Sequence, residues 1–394
     1  MHLHRTLLAL PSLLRQTLAY TTLSESSLQS IPHPGADFNI NDGPLLAPIL
    51  QVRVPGTEGI AAVQHHFAEF FRTELPRWDL TFQNSTSTTP VSNGKEVPFV
   101  NLIATRDPPW VQNAGEVGRL ALVAHYDSKL TPKGFIGAID SAAPCAMLLH
   151  AARSIDAALT KKWESMEAAG ASSDDLEAHG GIQLLLLDGE EAFSHWTNTD
   201  SVYGSRALAE EWESTMYPAG TTYNSPIDSI DLFVLLDLLG SKGPTVPSYF
   251  KTTHWAYQHM ADLEQRLRKA GMMKSSPNHS SKQRAADAVV KKAEPTFLPD
   301  ANKKDSDSWL GGAIDDDHRP FQQRGVEILH LIPNPFPSVW HTIQDDGEHL
   351  DIDTTEDWAL LTAAFAGEWM DLEGHFAASE RVGSGAEVKE RDEL

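Results

Sequence analysis

Short, wholly apolar runs alternate along the chain with longer stretches in which apolar residues recur every three to four positions. This is the pattern of strands buried on both faces separated by amphipathic helices. Residues 120–124 (Leu-Ala-Leu-Val-Ala), 184–187 (four leucines), 232–236 (Leu-Phe-Val-Leu-Leu) and 325–332 read as such strands. Leu80-Thr-Phe82 and 99–104 predict two more, separated by a polar loop of Ser, Thr and Asn. Helical spacing predicts a helix over 59–75, where Ile60, Val63, Phe67, Phe70 and Phe71 share a face until Pro76 stops it. A second runs over 145–159 behind Asp140-Ser-Ala-Ala-Pro144, with proline in the first turn as helix starts prefer. Others fall near 205–212 and over 354–370. Residues 160–181 are charged and rich in small residues, a surface excursion, and 271–308 read as a long loop within the domain. The expectation is one α/β domain over 1–375, built on a central mixed, mostly parallel twisted sheet flanked by helices, then an acidic tail over 376–394.

Several apolar runs end in residues able to do chemistry. The 120–124 run leads into His125-Tyr-Asp127, the leucine run into Asp188-Gly-Glu190-Glu191, the 232–236 run into Asp237, and the last into Pro333 and on to Trp340-His341. Open α/β sheets gather their chemistry at the carboxyl ends of strands. Glu190 and Glu191, adjacent on irregular backbone, point in different directions, so one can hold a metal while the other moves a proton. Asp140, Glu191 and His341 form an Asp/Glu/His set that leaves one position open, which suits a catalytic zinc; structural zinc sites are richer in cysteine. His125, Asp140, Glu191, Asp237 and His341 also contain the types and order for a di-zinc aminopeptidase, with Asp140 bridging and Glu190 activating water. Residues alone leave that alternative open, together with a non-catalytic luminal binding protein.

Charge narrows the partners. With 31 basic and 54 acidic residues the formal net charge is −23, which argues against nucleic acid and anionic membranes and favours cationic ligands such as free amines. No apolar run is long enough to span a bilayer. The first residues imitate a leader peptide, but Pro11 and Arg15 interrupt it, and Leu7, Leu8, Leu14 and Leu18 fit the first helix of a mature domain. The terminal Arg391-Asp-Glu-Leu394 is a variant of the retrieval tetrapeptide read in the endoplasmic reticulum, so a luminal, secretory-pathway location is expected. Asn84-Ser-Thr86 and Asn278-His-Ser280 are glycosylation acceptors that agree with that address. Cys145 is the one cysteine, so no intramolecular disulfide can form and the core must hold the fold.

A set of motifs then narrows the class. Phe135-Ile-Gly137-Ala-Ile-Asp140-Ser-Ala-Ala-Pro-Cys145-Ala-Met, Asp188-Gly-Glu-Glu-Ala-Phe, Tyr203-Gly-Ser-Arg206, Leu235-Leu-Asp237-Leu-Leu-Gly240, Asp316-Asp-His318 and His330-Leu-Ile-Pro-Asn-Pro-Phe-Pro-Ser-Val-Trp-His-Thr342 together resemble glutaminyl-peptide cyclotransferases. The likeness runs from about residue 14 to residue 370. It implies a zinc-aminopeptidase-like fold and a monomeric enzyme that turns N-terminal glutaminyl residues of peptides into pyroglutamyl, releasing ammonia. It also implies one zinc per chain on Asp140, Glu191 and His341, with Glu190 as proton carrier and Asp237 and Asp316 as its acidic support. Trp196, Ile332, Phe336 and Trp340 would wall the pocket. His330 reads as a packed strand residue or a partner of the site rather than a ligand. The chain departs from the family in two places. Secretory animal members pair a cysteine at the position of Cys145 with one at Ala124, and Asp315 replaces a usual glutamine, adding charge beside Asp316.

Overall fold

The computed structural model describes residues 21–172, 180–282 and 292–377. One sheet of six strands runs through it: β1 (Asp79–Thr88), β2 (Glu96–Arg106), β3 (Gly118–His125), β4 (Gly180–Leu187), β5 (Ile230–Leu236) and β6 (Ile328–Leu331), in the spatial order β1-β2-β4-β3-β5-β6. β1 with β2 and β2 with β4 are antiparallel, and the pairings of β3 with β4, β3 with β5 and β5 with β6 are parallel. The mixed, mostly parallel sheet of a single α/β domain is therefore present.

Burial on both faces explains the unbroken apolar runs. Leu184 and Leu186 join Leu122, Val234 and Leu331 on one face, under α2 (Glu58–Glu74), α3 (Ala143–Ala168), α5 (His254–Lys269) and α7 (Ile352–Trp369). Leu185 and Leu187 point the other way, into a smaller core with Leu208 and Ala209 of α4 (Tyr203–Ser214) and Phe321 of α6 (His318–Gln322). One short helix, α1 (Glu25–Gln29), precedes these. A strand that loses either face would expose a row of leucines, so neither helical layer is dispensable.

Four expectations need correction. The polar Asn84–Thr88 run is not loop: it is the second half of β1, paired with Glu96–Val100 at a hairpin edge open to solvent, where apolar alternation is not required. Residues 160–168 are not a surface excursion but the end of α3, held because Trp163 is buried and Lys162 Nζ donates to the Met370 carbonyl at 2.8 Å. Helix α5 was not expected at all, although Ala256, Tyr257, Met260, Leu263 and Leu267 bury one side of it. The last strand is shorter than 325–332. The helix expected near the N-terminus lies largely, and the acidic tail almost wholly, outside the described residues. Among the described residues no helix is long and apolar enough to cross a membrane.

Ala124 and Cys145 are both fully buried, and the Cys145 thiol donates to the His125 carbonyl at 3.1 Å. Burial pushes that thiol up to about 12, so it packs as an inert side chain. Ala124→Cys is expected to bridge to Cys145 on oxidation, closing a loop of about twenty residues and adding about 3 kcal/mol of stability. Urea melts with and without reductant check this; coincident midpoints would show that no bridge forms.

Candidate active site

The site is built from the ends of β3, β4, β5 and β6. Its keystone is Asp127, just past β3. One carboxylate oxygen accepts the Glu190 N–H at 3.0 Å and the other the Glu191 N–H at 3.2 Å, so a single buried side chain fixes the turn after β4. Gly189 makes that turn possible: its φ is +74°, and a Cβ there would lie 2.3 Å from the Phe99 ring. The same Asp127 stands 3.3 Å from His125 Nδ1. The His-x-Asp spacing at a strand end was visible in the sequence, yet this role for Asp127 escaped the sequence reading.

Asp140, Glu191 and His341 converge as expected, with His341 Nε2 at 3.4 Å from both Asp140 Oδ2 and Glu191 Oε1. Those two carboxylate oxygens are buried and have no hydrogen-bond partner among the described residues. The other oxygen of each is taken: Asp140 Oδ1 by His125 Nε2 at 3.0 Å, and Glu191 Oε2 by Lys129 Nζ at 3.0 Å. Each acid thus offers one oxygen to the same point. Ligands about 2.0–2.1 Å from a tetrahedral zinc stand about 3.3 Å apart, so the residues fit the metal. Burial, then the charge of Glu191, pushes Asp140 up to about 7, a cost that a cation at this point offsets. Burial also works to raise Glu191, but His341 and Lys129 outweigh it and its carboxyl lies below the ordinary range. Lys129 is a second residue the sequence reading passed over.

A second carboxylate group lies behind the first. Burial above all, then the charges of Glu191, Asp316 and Asp317, pushes Glu190 well above the usual range against the pull of His125. Burial, then Asp237, raises Asp316, whose oxygens accept from the Asp317 N–H at 2.6 Å and pair with His330 Nε2 at 2.7 Å. Asp237 is opposite in sign. Burial works to raise it, yet His125 and the Ser141 hydroxyl that donates to it outweigh burial and hold it below the usual range. One acid of the pair therefore favours its proton and the other its charge, as expected of two carboxyls sharing a site. His330, expected as a packed strand residue or a partner of the site, is buried on β6 and pairs with Asp316, and with Asp316 and His318 it forms a further cluster able to hold a cation; Ser141 was not foreseen.

His125 bears on the two-metal alternative. Its ring nitrogens face carboxylates on both sides, Asp127 on one and Asp140 with Asp237 on the other, the last at 3.5 Å. Burial works against its charge, but these bonds prevail and hold it well above the ordinary histidine range. His125, Asp140 and Asp237 nevertheless bring one ligand atom each within 4.8 Å of one another, so the geometry by itself leaves a second cation position open and a metal count must decide.

The aromatic wall is partly assembled. Trp340 stacks on His341 with centroids 3.9 Å apart and meets Phe336 edge-on at 4.7 Å. Phe336 packs in turn on a cluster containing buried Ile332. Trp196 stands apart, half-exposed on a turn that Asp200 fixes by accepting the N–H groups of Phe193, Ser194 and His195; no aromatic contact joins it to Phe336 or Trp340. Asp315 points outward and pairs with Arg319 at 2.9 Å, so its added charge is offset at the surface.

Fold and site together define an α/β enzyme with a candidate metal centre at the strand ends. The model of peptidase family M28 matches residues 101–366. A glutaminyl-peptide cyclotransferase-like protein of Bos taurus is 36% identical over 330 residues, covering 83% of this chain and 74% of the relative. The glutaminyl-peptide cyclotransferase of Boiga dendrophila is also 36% identical, over 83% of this chain and 80% of its own. Among solved structures, a glutaminyl cyclase of Macrostomum lignano superposes with a TM-score of 0.68 at 27% identity, covering 89% of this chain and 95% of that one. A Zn-dependent exopeptidase of Parabacteroides distasonis shares the fold, with a TM-score of 0.54 at 19% identity over 86% of this chain and 99% of its own. The chain belongs to peptidase family M28 and, within it, to the glutaminyl-peptide cyclotransferases.

Proposed function

We infer that this enzyme cyclises N-terminal glutaminyl residues of peptides and proteins to pyroglutamyl with release of ammonia, using one zinc per chain held by Asp140, Glu191 and His341. The observation that carries the reading is the convergence of two buried carboxylate oxygens, unpartnered among the described residues, on His341, with the Glu190 carboxyl next to them in sequence. Polarisation of the γ-carboxamide is the chemistry zinc supplies when bound. The nucleophile needs no second metal, because the substrate's α-amine is already tethered to the carbon it attacks.

The rest falls to the chain. Glu190 takes a proton from the attacking amine as the C–N bond of the ring forms, then gives it to the departing amide nitrogen as that C–N bond breaks. No net proton is consumed. A carboxyl raised toward the pKa of its partners makes both transfers cheap. Burial keeps the Glu190 carboxyl raised, with Asp316 adding to the effect, and Asp237 in turn acts on Asp316. Phe336, Ile332 and Trp340 present an apolar face to the methylenes of the glutamine side chain, and Trp196 is assigned the same task from the far side.

The test is a Gln-initiated peptide incubated with the zinc-loaded protein and weighed by mass spectrometry. Loss of one ammonia without shortening is expected. Loss of the whole first residue would make the enzyme an aminopeptidase, and an unchanged peptide would favour a binding role. Metal analysis and light scattering on the same sample check one zinc per chain and a monomer. A luminal location belongs to the same proposal. It is supported by the terminal Arg391-Asp-Glu-Leu394 and by Asn84, which is exposed on β1; the Asn278 amide is already engaged with Lys292 and Glu294.

A further inference from the structure

Two of the three candidate ligands stand on irregular backbone that little else explains. Asp140 follows a turn at residues 136–139 in which Gly137 has φ +63° and a Cβ would lie 2.1 Å from the Asp140 carbonyl oxygen. His341 itself has φ +56°, the left-handed region, where a non-glycine residue stores strain that its surroundings must hold. Asp140 and Ser141 depart from helical φ/ψ within the single turn Ala138–Ala142, His341 lies in a loop, and the two ligands are about two hundred residues apart in sequence. What ties them together is one residue. Asp345, four positions past His341 and 1% exposed, accepts the Ile139 N–H on Oδ1 at 2.8 Å, and its main-chain carbonyl accepts the Ala138 N–H at 3.1 Å. Its own N–H donates to the Thr342 carbonyl at 3.0 Å, closing the loop that carries His341. From the other side, Arg53 donates to the carbonyls of Ile136 and Gly137. The turn before Asp140 is thus held by its N–H groups from the His341 loop and by its carbonyls from Arg53.

We propose that Asp345 is a positioning residue of the metal centre: its carboxylate fastens the His341 loop to the turn that presents Asp140 and so sets the spacing of these two ligands. It touches neither metal nor substrate. The inference rests on the metal reading of the triad, and it assigns to this chain a specific strut rather than a general rigidity. A strut has a length, so its effect depends on reach as well as on hydrogen bonding.

The test is zinc affinity by chelator competition, together with the visible spectrum of the cobalt(II)-loaded protein. Asp345→Ala is expected to weaken zinc by about 10- to 100-fold, as loss of a group that orients a ligand does, and to alter the cobalt bands. Asp345→Asn keeps an acceptor of the same reach and is expected to stay close to wild type. Asp345→Glu keeps the charge but lengthens the arm, and is expected to weaken zinc as Ala does; it also serves should the alanine variant not fold. The neighbouring Asp346 caps the single turn Gly347–His349, accepting from the Glu348 and His349 N–H groups, so Asp346→Ala is expected to lose stability but not metal affinity. Wild-type affinity and an unaltered spectrum in both Asp345→Ala and Asp345→Glu would overturn the inference. So would an equal loss in Asp346→Ala, which would mean that the loop merely loosened. Failure of the wild-type chain to bind zinc would overturn the metal reading itself, which separates the two failures.

Discussion

Glu190→Gln is expected to lower kcat on Gln-initiated peptides by about 10²- to 10⁴-fold while zinc content stays at the wild-type level. The substitution removes the one group placed to carry a proton in both directions and nothing that faces His341. The Glu190 main-chain N–H, which Asp127 accepts, survives, so the turn after β4 should hold its shape. An amide cannot accept the amine's proton, so the loss belongs to kcat and KM should move little. Steady-state kinetics with metal analysis of the same preparation checks this. Activity within tenfold of wild type would remove Glu190 from the proton path, and a parallel loss of zinc would show that it supports the metal instead.

Arg53→Met is expected to lower folding stability by more than about 4–5 kcal/mol, a large part of what a domain has to lose. Arg53 is fully buried, and its guanidinium donates to six main-chain carbonyls, those of Ile49, Gln51, Tyr126, Asp127, Ile136 and Gly137. Methionine fills much of the same volume and offers no donor. Carbonyls left dry then cost about 1–3 kcal/mol each where water cannot follow. A second cost is electrostatic, because the charges of Asp127, Asp345 and Asp140 all act on Arg53 and lose their nearby cation. Arg53→Lys should recover only part of this, since an ammonium has three donors on a point rather than a planar fork. Urea unfolding followed by circular dichroism measures the effect. A midpoint close to wild type would show that the clamp is redundant.

The parts of this molecule that were legible in its sequence are those where one physical demand acts on neighbouring residues. Four leucines in a row betray a strand buried on both faces, and a double glutamate straight after them betrays a turn at the reactive edge. Asp140, Glu191 and His341 could be read because each follows a recognisable element. Where a demand was weak, the reading failed: β1 lies at an edge and tolerates Asn, Ser and Thr on its open face, and the apolar side of α5 is diluted by alanines and by charge on its other side. Arg53 and Asp345 show the deeper limit. Each acts on main-chain groups far away in sequence, so no local pattern marks it. A buried arginine bonded to carbonyls looks, in sequence, like any surface arginine.

The order of strands has a bearing on how the protein matures during synthesis. Asp140 and Glu191 follow β3 and β4, which pair directly, whereas His341 follows β6, the outermost strand on the far side of β5. A chain emerging from its N-terminus can bring the two carboxylates together well before the histidine exists, and at that stage they can hold a cation only loosely. If the triad holds zinc as proposed, tight metal uptake waits until β6 has docked. From then on a bound ion would tie the last strand to β3 and β4 at the centre of the sheet, adding RT ln(1 + [zinc]/Kd) against the peeling of that edge. Metal retention is therefore a readout of completed folding, and a chain interrupted before residue 341 should be recognisable by its failure to keep zinc.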